Sequence, residues 1–226
     1  MSTSRSGAAL NVVISSAGRR VGLLQAFRHA LSTLGLEGSV SVVDLTSDAA
    51  TFPLADSAWT VPRCTDDAFV PTMLELCSTH DLGLVVPTID TELGVWAAHR
   101  QAFAEIGTSV VVSSPEVVAI SADKQRTHEW LTEHGLPTVR QASPAEVLAD
   151  ITAWRFPLIA KPTAGSRSIG LVVAQNADDL ARLPADVDYV VQTIAPGREY
   201  TVSVFADPSG VVRSAVPRLR LETRGG

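Results

Sequence analysis

The sequence predicts an α/β protein in which a Rossmann-like region precedes a second region with α+β character. Short runs rich in Val and Ile alternate with amphipathic segments from residue 10 to about residue 113, as in parallel strands joined by helices. After Ser114-Pro115 the pattern changes, and apolar segments follow one another in pairs separated by turn residues. We therefore expect two domains, residues 1–115 and 116–226.

The first region predicts a parallel sheet covered by helices on both faces. The small residues from Ser15 to Gly18 separate the first apolar run from the first amphipathic segment, which is the order strand, loop, helix. The same order then repeats along the chain. Strands are expected over 10–15, 39–44, 58–61, 84–87 and 109–112, and helices over 21–34, 68–80 and 93–106.

The second region predicts strands paired as hairpins. A long polar helix over 116–134 is expected to end at Gly135, because Pro137 cannot continue it. The residues from Asp207 to Gly210 predict a turn between the last two strands. Further helices are expected over 144–153 and 177–183, and strands over 158–161, 169–174, 189–193, 200–206 and 211–216.

Composition excludes several classes of protein. The net charge of −6 leaves no basic excess for a phosphate backbone, so a nucleic-acid partner is disfavoured. No segment approaches the roughly 18 uncharged apolar residues of a membrane helix, and we expect a soluble cytoplasmic protein without a membrane partner. The two cysteines, Cys64 and Cys77, form no CxxC pair, and the five histidines show no HxxxH or HExxH spacing. Neither a protein metal site nor a catalytic histidine is predicted.

A glycine-rich loop, Gly165 to Gly170, lies between two predicted strands, where successive N–H groups can surround an anion. Its G-x-x-x-x-G spacing lacks the Lys-Ser/Thr pair and the following helix of a P-loop, since Leu171 begins an apolar run. A nucleophile elbow also fails, because Ser166 stands where that motif needs glycine. On the loop alone, an ordinary surface hairpin remains as good an interpretation as a phosphate site.

The lysines favour the phosphate site. Only two of the 18 basic residues are lysines, Lys124 and Lys161. Lys161 ends the strand before the glycine loop, so its compact ammonium group can lie over the same phosphates. Farther along, the apolar segment from Tyr189 to Pro196 can offer backbone groups to an adenine edge, and Glu199 can accept hydrogen bonds from a ribose.

The loop after the first strand allows a different interpretation. It precedes a helix N-terminus, and Asp44 ends the second strand, as in a dinucleotide site. The sequence between Gly18 and Gly22 nevertheless lacks the G-x-G-x-x-G pattern, so an NAD(P)-dependent oxidoreductase is the weaker alternative. Asp90 and Glu92 follow a strand end and either face the same cleft or simply begin the next helix, which is the more common role.

Seven short segments occur along nearly the whole chain in a recognisable order. They are ISSAGRR at 14–20, VPRCTD at 61–66, PTIDTEL at 87–93, SADK at 121–124, AKPTAGSRSIG at 160–170, VQTIAPGREYTV at 191–202 and PRLRLETRGG at 217–226. Together they resemble the ATP-grasp family, and specifically its carbamoyl-phosphate-synthase-like members. The resemblance implies that residues 1–115 are a Rossmann-like preATP-grasp domain and that 116–226 are the N-terminal part of an α+β ATP-grasp domain.

The resemblance also implies a function. Members of this family are ATP-dependent ligases in which a substrate carboxylate attacks the γ-phosphate and an amine or thiol captures the resulting acyl phosphate. Phosphoryl transfer of this kind needs fixed cations and N–H donors more than a protein nucleophile. We therefore expect ATP and Mg²⁺ as cofactors, and small carboxylate and amine molecules as substrates.

Site roles follow from the resemblance, position by position. It implies an ATP site that includes both lysines, the phosphate-covering loop, an adenine hinge and a ribose-binding acid. It also implies a basic catalytic position near the phosphates and a loop on the side of the carboxylate substrate. The corresponding residues are Lys124, Lys161, Gly165, Ser166, Arg167, Ser168, Ile169, Gly170, Gln192, Thr193, Ile194 and Glu199 for ATP, Arg218 as the catalytic residue, and Ser16, Gly18 and Arg19 for the substrate.

The sequence departs from the family in three places. Thr193 stands where the family often has Glu, Ser203 stands where Asp is common, and the usual metal-binding acids would lie beyond residue 226. We therefore expect that the chain does not turn over ATP alone, and that a second copy or a partner chain completes the ATP-grasp domain. A non-catalytic nucleotide-binding module, or half of a split enzyme, is the principal alternative.

Overall fold

A computed structural model describes residues 9–164 and 169–221 of the chain. It divides into two compact units, Met1–Ala119 (unit 1) and Ile120–Gly226 (unit 2). In the described part of the chain, no helix is long and apolar enough to cross a membrane.

Unit 1 is built around five parallel strands in the order β3-β2-β1-β4-β5. The order reverses between β1 and β4, so the carboxyl ends of these two neighbours form the switch point of the sheet. The strands are β1 (Asn11–Ile14), β2 (Val40–Asp44), β3 (Ala58–Thr60), β4 (Leu82–Val86) and β5 (Ser109–Val110), and the helices are α1 (Val21–Leu34), α2 (Phe69–Thr79), α3 (Asp90–Glu105) and α4 (Pro115–Ala122), which crosses the boundary between the units.

Both faces of this sheet are buried, as the apolar strands require. Val13 and Val85 pack against Met73 of α2 and Trp96 of α3 on one face. On the other face, Ile14, Val40 and Val42 pack against Leu24 and Leu31 of α1. The α/β fold class and the covered parallel sheet predicted from the sequence are therefore confirmed.

Unit 2 contains a four-stranded sheet in the order β6-β9-β7-β8, with all three neighbouring pairs antiparallel. Leu158, Ala160 and Val191 face a core completed by Val147 and Leu180 from two short helices. The strands are β6 (Gln141–Ala142), β7 (Leu158–Pro162), β8 (Val172–Ala174) and β9 (Tyr189–Thr193), and the helices are α5 (Lys124–Glu133), α6 (Pro144–Ala149) and α7 (Ala177–Ala181).

A separate hairpin of β10 (Tyr200–Ala206) and β11 (Val212–Leu219) follows this sheet. Its cross-strand pairs place Tyr200, Val202, Val204 and Leu219 on one face, and each of these side chains is at least one-third exposed. The other face carries the pairs of Thr201 with Arg218, Ser203 with Val216 and Phe205 with Ser214, which mix polar and apolar side chains. The hairpin thus has one exposed apolar face and one mixed face.

Several predicted boundaries in the second region are wrong. The single helix over 116–134 is two helices, because Asp123 adopts an extended backbone (φ −121°, ψ 122°) and caps α5. The α-helix expected over 144–153 ends at Ala149, and a separate 3₁₀ turn follows over Ile151–Ala153. The strand expected over 169–174 covers only Val172–Ala174, since Gly170 has a positive φ of 74°. The two-residue strand β6 was not predicted.

Candidate functional site

One face of the four-stranded sheet points away from α6 and α7. Strand residues alternate between faces, so Ile159 and Lys161 of β7 lie on the side opposite Leu158 and Ala160. Register places Gln192 beside Ile159 and Val190 beside Lys161, and Gln141 of β6 beside Gln192. We call the surface formed by Gln141, Ile159, Lys161, Val190 and Gln192 the lysine face.

Lys124 is brought to the same region by the start of α5. The Asp123 carboxylate accepts hydrogen bonds from the N–H groups of Gln125 and Arg126, which fixes Lys124 as the first residue of the helix. The Lys124 N–H donates to the Thr163 carbonyl (3.0 Å), just past the end of β7. The two lysines are therefore tied to one end of the sheet by backbone as well as side-chain bonds.

The surroundings of Lys124 disfavour its charged form. Burial lowers the pKa of Lys124 below its ordinary value, and repulsion from Lys161 lowers this pKa further, while Asp123 acts in the opposite sense. Lys124 also lies at the N-terminus of α5, where the helix dipole disfavours a cation. The two ammonium groups and the N-terminus of α5 thus all contribute positive potential to this region. An anion between the lysines would relieve their repulsion.

A row of side-chain hydrogen bonds crosses the lysine face. The Lys161 ammonium donates to the Gln192 Oε1 (3.1 Å), and the Gln192 amide donates to the Gln141 Oε1 (2.6 Å). The Gln141 amide in turn donates to the Lys124 carbonyl (3.4 Å). These bonds join both lysines through two neutral amides.

The rest of the predicted ATP site lies around this sheet. Gly165, Ser166, Arg167 and Ser168 lie outside the described residues. Ile169 follows them with a side chain that is 77% exposed, and a Cβ on Gly170 would meet the Pro162 ring at 2.9 Å. Gly170 also has the positive φ that favours glycine, so the chain leaving the loop passes directly over the end of β7.

The predicted hinge continues from β9. Gln192 belongs to the lysine face, and its side chain bonds to Lys161 and Gln141. The Thr193 N–H donates to the Arg140 carbonyl (3.1 Å). Ile194 follows the strand and is 44% exposed, so an apolar side chain is accessible where the strand ends.

The remaining predicted residues of unit 2 make their contacts within the hairpin. Glu199 forms an ion pair with Arg220 (2.6 Å), and the Arg218 guanidinium donates to the Ser203 hydroxyl (2.8 Å). In the described part of the chain, no hydrogen bond or ion pair joins Glu199 or Arg218 to either lysine.

In unit 1, a buried carboxylate organises the switch point of the sheet. Glu92 of α3 is 0% exposed, and its Oε2 accepts hydrogen bonds from the hydroxyls of Ser15 (2.5 Å) and Ser16 (3.2 Å) and from the Trp96 indole (3.1 Å). Its Oε1 accepts from the N–H groups of Thr88 (2.7 Å) and Ile89 (3.2 Å). Glu92 therefore caps α3 and also joins the loops after β1 and β4.

The predicted substrate loop is largely bonded to its own unit. The Ser16 hydroxyl is engaged by Glu92, and the Gly18 N–H donates to the Asp44 Oδ2 (2.6 Å). Arg19 is exposed, whereas Arg20 donates to the Thr88 carbonyl (3.1 Å). Among Ser16, Gly18 and Arg19, the guanidinium of Arg19 is the group most accessible to a ligand.

Three organising residues were missed or undervalued by sequence reasoning. Gln141 lies in a strand too short to give a periodic signal, and Glu92 resembles an ordinary first-turn acid. Asp123, by contrast, had a detectable signal: an Asp followed by a polar helical segment is a typical N-cap.

Metal ligands are not evident in the described residues, where no cluster of three or more His, Cys, Asp or Glu side chains could hold an ion. The carboxylate that acts on Lys124, Asp123, is already bonded to helix N–H groups. The described residues therefore do not fit a Mg²⁺ site.

Burial raises the pKa of the Cys77 thiol to about 11, so this cysteine is not an activated nucleophile.

A cavity of about 570 Å³ adjoins the start of α5. Asp123, Gln125 and Thr163 line one part of it, and Leu180 and Tyr189 line another. Neither lysine lines it, so the cavity is not the space between the two ammonium groups.

Comparison with protein families assigns both units. Residues 12–111 match the family described as the PylC-like N-terminal domain, and residues 121–225 match the ATP-grasp domain family. Residues 121–225 thus correspond to an ATP-grasp domain, and the two matches together support membership of the ATP-grasp superfamily.

Curated relatives match parts of the chain. A D-alanine–D-alanine ligase of Jannaschia sp. (strain CCS1) is 35% identical over 96 residues, which are 41% of this chain and 30% of the relative. A carbamoyl-phosphate synthase of Methanobrevibacter smithii is 23% identical over 169 residues, 73% of this chain and 45% of the relative. The chain thus spans between about a third and a half of these relatives.

Solved structures share the fold. N5-carboxyaminoimidazole synthetase from Staphylococcus aureus, complexed with ADP, has a TM-score of 0.66 at 15% identity, over 91% of this chain and 52% of that chain. The biotin carboxylase domain of Hydrogenobacter thermophilus 2-oxoglutarate carboxylase, in complex with MgADP and bicarbonate, has a TM-score of 0.67 at 16% identity, over 89% and 48%. At these identities the likeness establishes the fold.

Proposed function

We propose that unit 2 binds ATP, with the triphosphate between Lys124 and Lys161. The observation that carries the proposal is the bond from the Lys124 N–H to the Thr163 carbonyl, which holds the start of α5 at the end of β7, the strand of Lys161. These are the only two lysines in the chain. A phosphate group between them would accept charge-assisted hydrogen bonds from both ammonium groups. The exposed Ile194 and the backbone beyond β9 would receive the adenine, and Glu199 the ribose.

We further propose that the protein acts in an ATP-dependent carboxylate–amine or carboxylate–thiol ligation through an acyl phosphate. The D-alanine–D-alanine ligase and carbamoyl-phosphate synthase relatives support this class of reaction. In the proposal Lys124, Lys161 and the loop over 165–170 orient the phosphates, Arg218 stabilises the developing charge, and Arg19 attracts the substrate carboxylate. A second copy or a partner chain would supply the Mg²⁺ ligands that the described residues lack.

The NAD(P) alternative is disfavoured by the switch point of unit 1. A dinucleotide pyrophosphate needs free N–H donors in the first βα turn. Here the Gly18 N–H is bonded to the Asp44 carboxylate, and the neighbouring Thr88 hydroxyl donates to the carbonyls of Ser15 and Ser16. A negative carboxylate already lies where an anion would have to bind.

The test of ATP binding is calorimetric titration of ATP into wild type, Lys161→Ala and Lys161→Arg. Loss of one charge-assisted bond is worth about 1.5–3 kcal/mol, so Lys161→Ala should weaken binding about 10- to 150-fold. Lys161→Arg should also weaken binding, because a planar guanidinium does not replace a compact ammonium group. The control is Arg182→Ala, which removes a 74%-exposed cation just after the end of α7. Equal ATP affinity in wild type and Lys161→Ala would refute the role of Lys161.

A further inference from the structure

The two glutamines of the lysine face can be bonded in only one direction. An ammonium group has no acceptor, so Lys161 must face the Oε1 of Gln192 rather than its amide nitrogen. This leaves the Gln192 Nε2 directed at the Gln141 Oε1, and the Gln141 Nε2 directed at the Lys124 carbonyl. Each amide orientation therefore determines the next one.

We propose that Gln141 and Gln192 are positioning residues that hold Lys124 and Lys161 as a single phosphate site. Gln192 orients the Lys161 side chain directly. Gln141 acts through Gln192 on one side and through the backbone of Lys124 on the other. This inference rests on the proposed ATP-binding function and assigns Gln192 a role beyond that of a hinge residue.

The amide groups suit this task better than carboxylates would. A carboxylate at position 192 would orient the Lys161 ammonium group, but it would also neutralise this group and compete with phosphate. A carboxylate at position 141 would lack the donor that bonds to the Lys124 carbonyl. Neutral amides fix the geometry and leave the positive charge for the ligand.

The position of the glutamines in the sheet supports the proposal. Gln141 and Gln192 are direct register partners on neighbouring strands, and Gln192 is also the register partner of Ile159. The two-residue strand β6 consists of Gln141 and Ala142, so its main visible contribution to this face is the Gln141 side chain. The Arg140 carbonyl just before it accepts from the Thr193 N–H (3.1 Å), which anchors Gln141 at that register.

Selective labelling makes the effect on the lysines directly observable. Because the chain has only two lysines, ¹³C,¹⁵N-lysine gives two sets of side-chain NMR signals. Gln141→Leu does not remove a direct contact with Lys161, yet it should shift the Lys161 side-chain signals, as Gln192→Leu does. The exposed Gln175→Leu, on the same unit, is the matched control and should leave both lysines unchanged.

The second readout is ATP affinity measured by calorimetry. Gln141→Leu and Gln192→Leu should each weaken ATP binding about five- to twenty-fold, since a hydrogen bond to a charged group is lost or misdirected. The double variant should be no weaker than Gln192→Leu alone, because the two residues act in series. Gln192→Glu keeps an acceptor for Lys161 but loses the donor to Gln141 and neutralises the ammonium group. It should therefore weaken ATP binding more than Gln192→Leu does while lowering the thermal midpoint less, a split that a purely structural role would not produce.

The outcomes separate the two proposals. If wild type fails to bind ATP, the proposed function is wrong, and the NMR comparison alone decides whether the glutamines position the lysines. If wild type binds ATP, but Gln141→Leu changes neither the Lys161 signals nor the affinity, the positioning role is wrong and the ATP site stands.

Discussion

At the scale of single residues, two charged groups in the described part of the chain lie in surroundings that disfavour charge, and each organises the loops around it. Glu92 is a fully buried carboxylate with five donors. Lys124 is a partly buried ammonium at a helix N-terminus beside a second ammonium. A buried carboxylate is tolerated when its bonds are satisfied, and an anion beside the two lysines would lessen their mutual repulsion.

Replacing Glu92 with Gln should destabilise unit 1 by about 1–3 kcal/mol. One oxygen becomes an NH₂ group, which must then face either the N–H groups of Thr88 and Ile89 or the Trp96 indole, all of which are obligate donors. Urea unfolding followed by tryptophan fluorescence measures the loss. Glu105→Gln, an exposed carboxylate at the end of the same helix, is the control, and equal midpoints for Glu92→Gln and wild type would contradict the role of this network.

The lowered pKa of Lys124 predicts a pH dependence. Since this pKa lies below the ordinary lysine value of 10.5, the unfolded chain binds more protons between the two values, and wild type gains stability as pH rises through that interval. Lys124→Gln lacks this contribution. Denaturant unfolding of both proteins from pH 8 to 11 should show wild type gaining on the variant, and a difference that is constant with pH would contradict the prediction.

At the scale of elements, one N-cap decides where the lysine lies. Asp123 interrupts what the sequence pattern presents as a single helix, so that Lys124 begins α5 instead of lying within a longer helix. Amphipathic periodicity continues across the break and therefore could not reveal it. Cap chemistry could have done so, because Ser-Ala-Asp before a polar helical run offers an obvious acceptor.

Asp123→Ala should destabilise unit 2 by about 1 kcal/mol, within the range of about 0.5–2 kcal/mol for lost N-caps. It should also weaken ATP binding, because the first turn of α5 carries Lys124. Asp123→Asn retains the acceptor and is the matched control for the cap. Circular dichroism on denaturation and ATP titration check both effects, and an Asp123→Asn variant as unstable as Asp123→Ala would show that charge matters more than capping.

Polar substitutions on the apolar face of the β10–β11 hairpin should have little effect on stability. Val202 and Val204 are 53% and 60% exposed on the apolar face of the hairpin. Val202→Thr and Val204→Thr should each change stability by no more than about 0.5 kcal/mol and should reduce self-association at high concentration. The buried Val191→Thr, in the core of the same unit, is the contrasting control and should cost about 1–3 kcal/mol. Large losses from both exposed substitutions would show that this face is covered.

At the scale of the whole molecule, the sequence predicts the elements that form a repeated pattern and the residues whose chemistry is distinctive. It does not predict contacts that depend on the register of neighbouring elements. Parallel strands and their helices repeat often enough for periodicity to define unit 1. Lys124 and Lys161 could be singled out because lysine is so rare in this chain. The Gln141–Gln192 pair, and the contact of Glu92 with Ser15 across 77 positions, require the register of neighbouring elements, which no local pattern contains.

The two units therefore present different chemistry. In unit 1, Glu92, Asp44 and Thr88 form hydrogen bonds at the switch point of the sheet, whereas unit 2 brings two ammonium groups to one end of its sheet. The central claim is that the nucleotide site lies in unit 2 and accepts ATP.

Thermal unfolding with ATP, ADP, NAD and NADP, on wild type and Lys161→Ala, tests that claim most directly. At a ligand concentration of 100 times Kd, binding stabilises a folded protein by about 2.7 kcal/mol, which is readily measured as a rise in Tm. We predict that ATP and ADP raise the Tm of wild type, that Lys161→Ala loses most of this rise, and that NAD and NADP have no effect. A rise with NAD or NADP alone, equal in both proteins, would contradict the account.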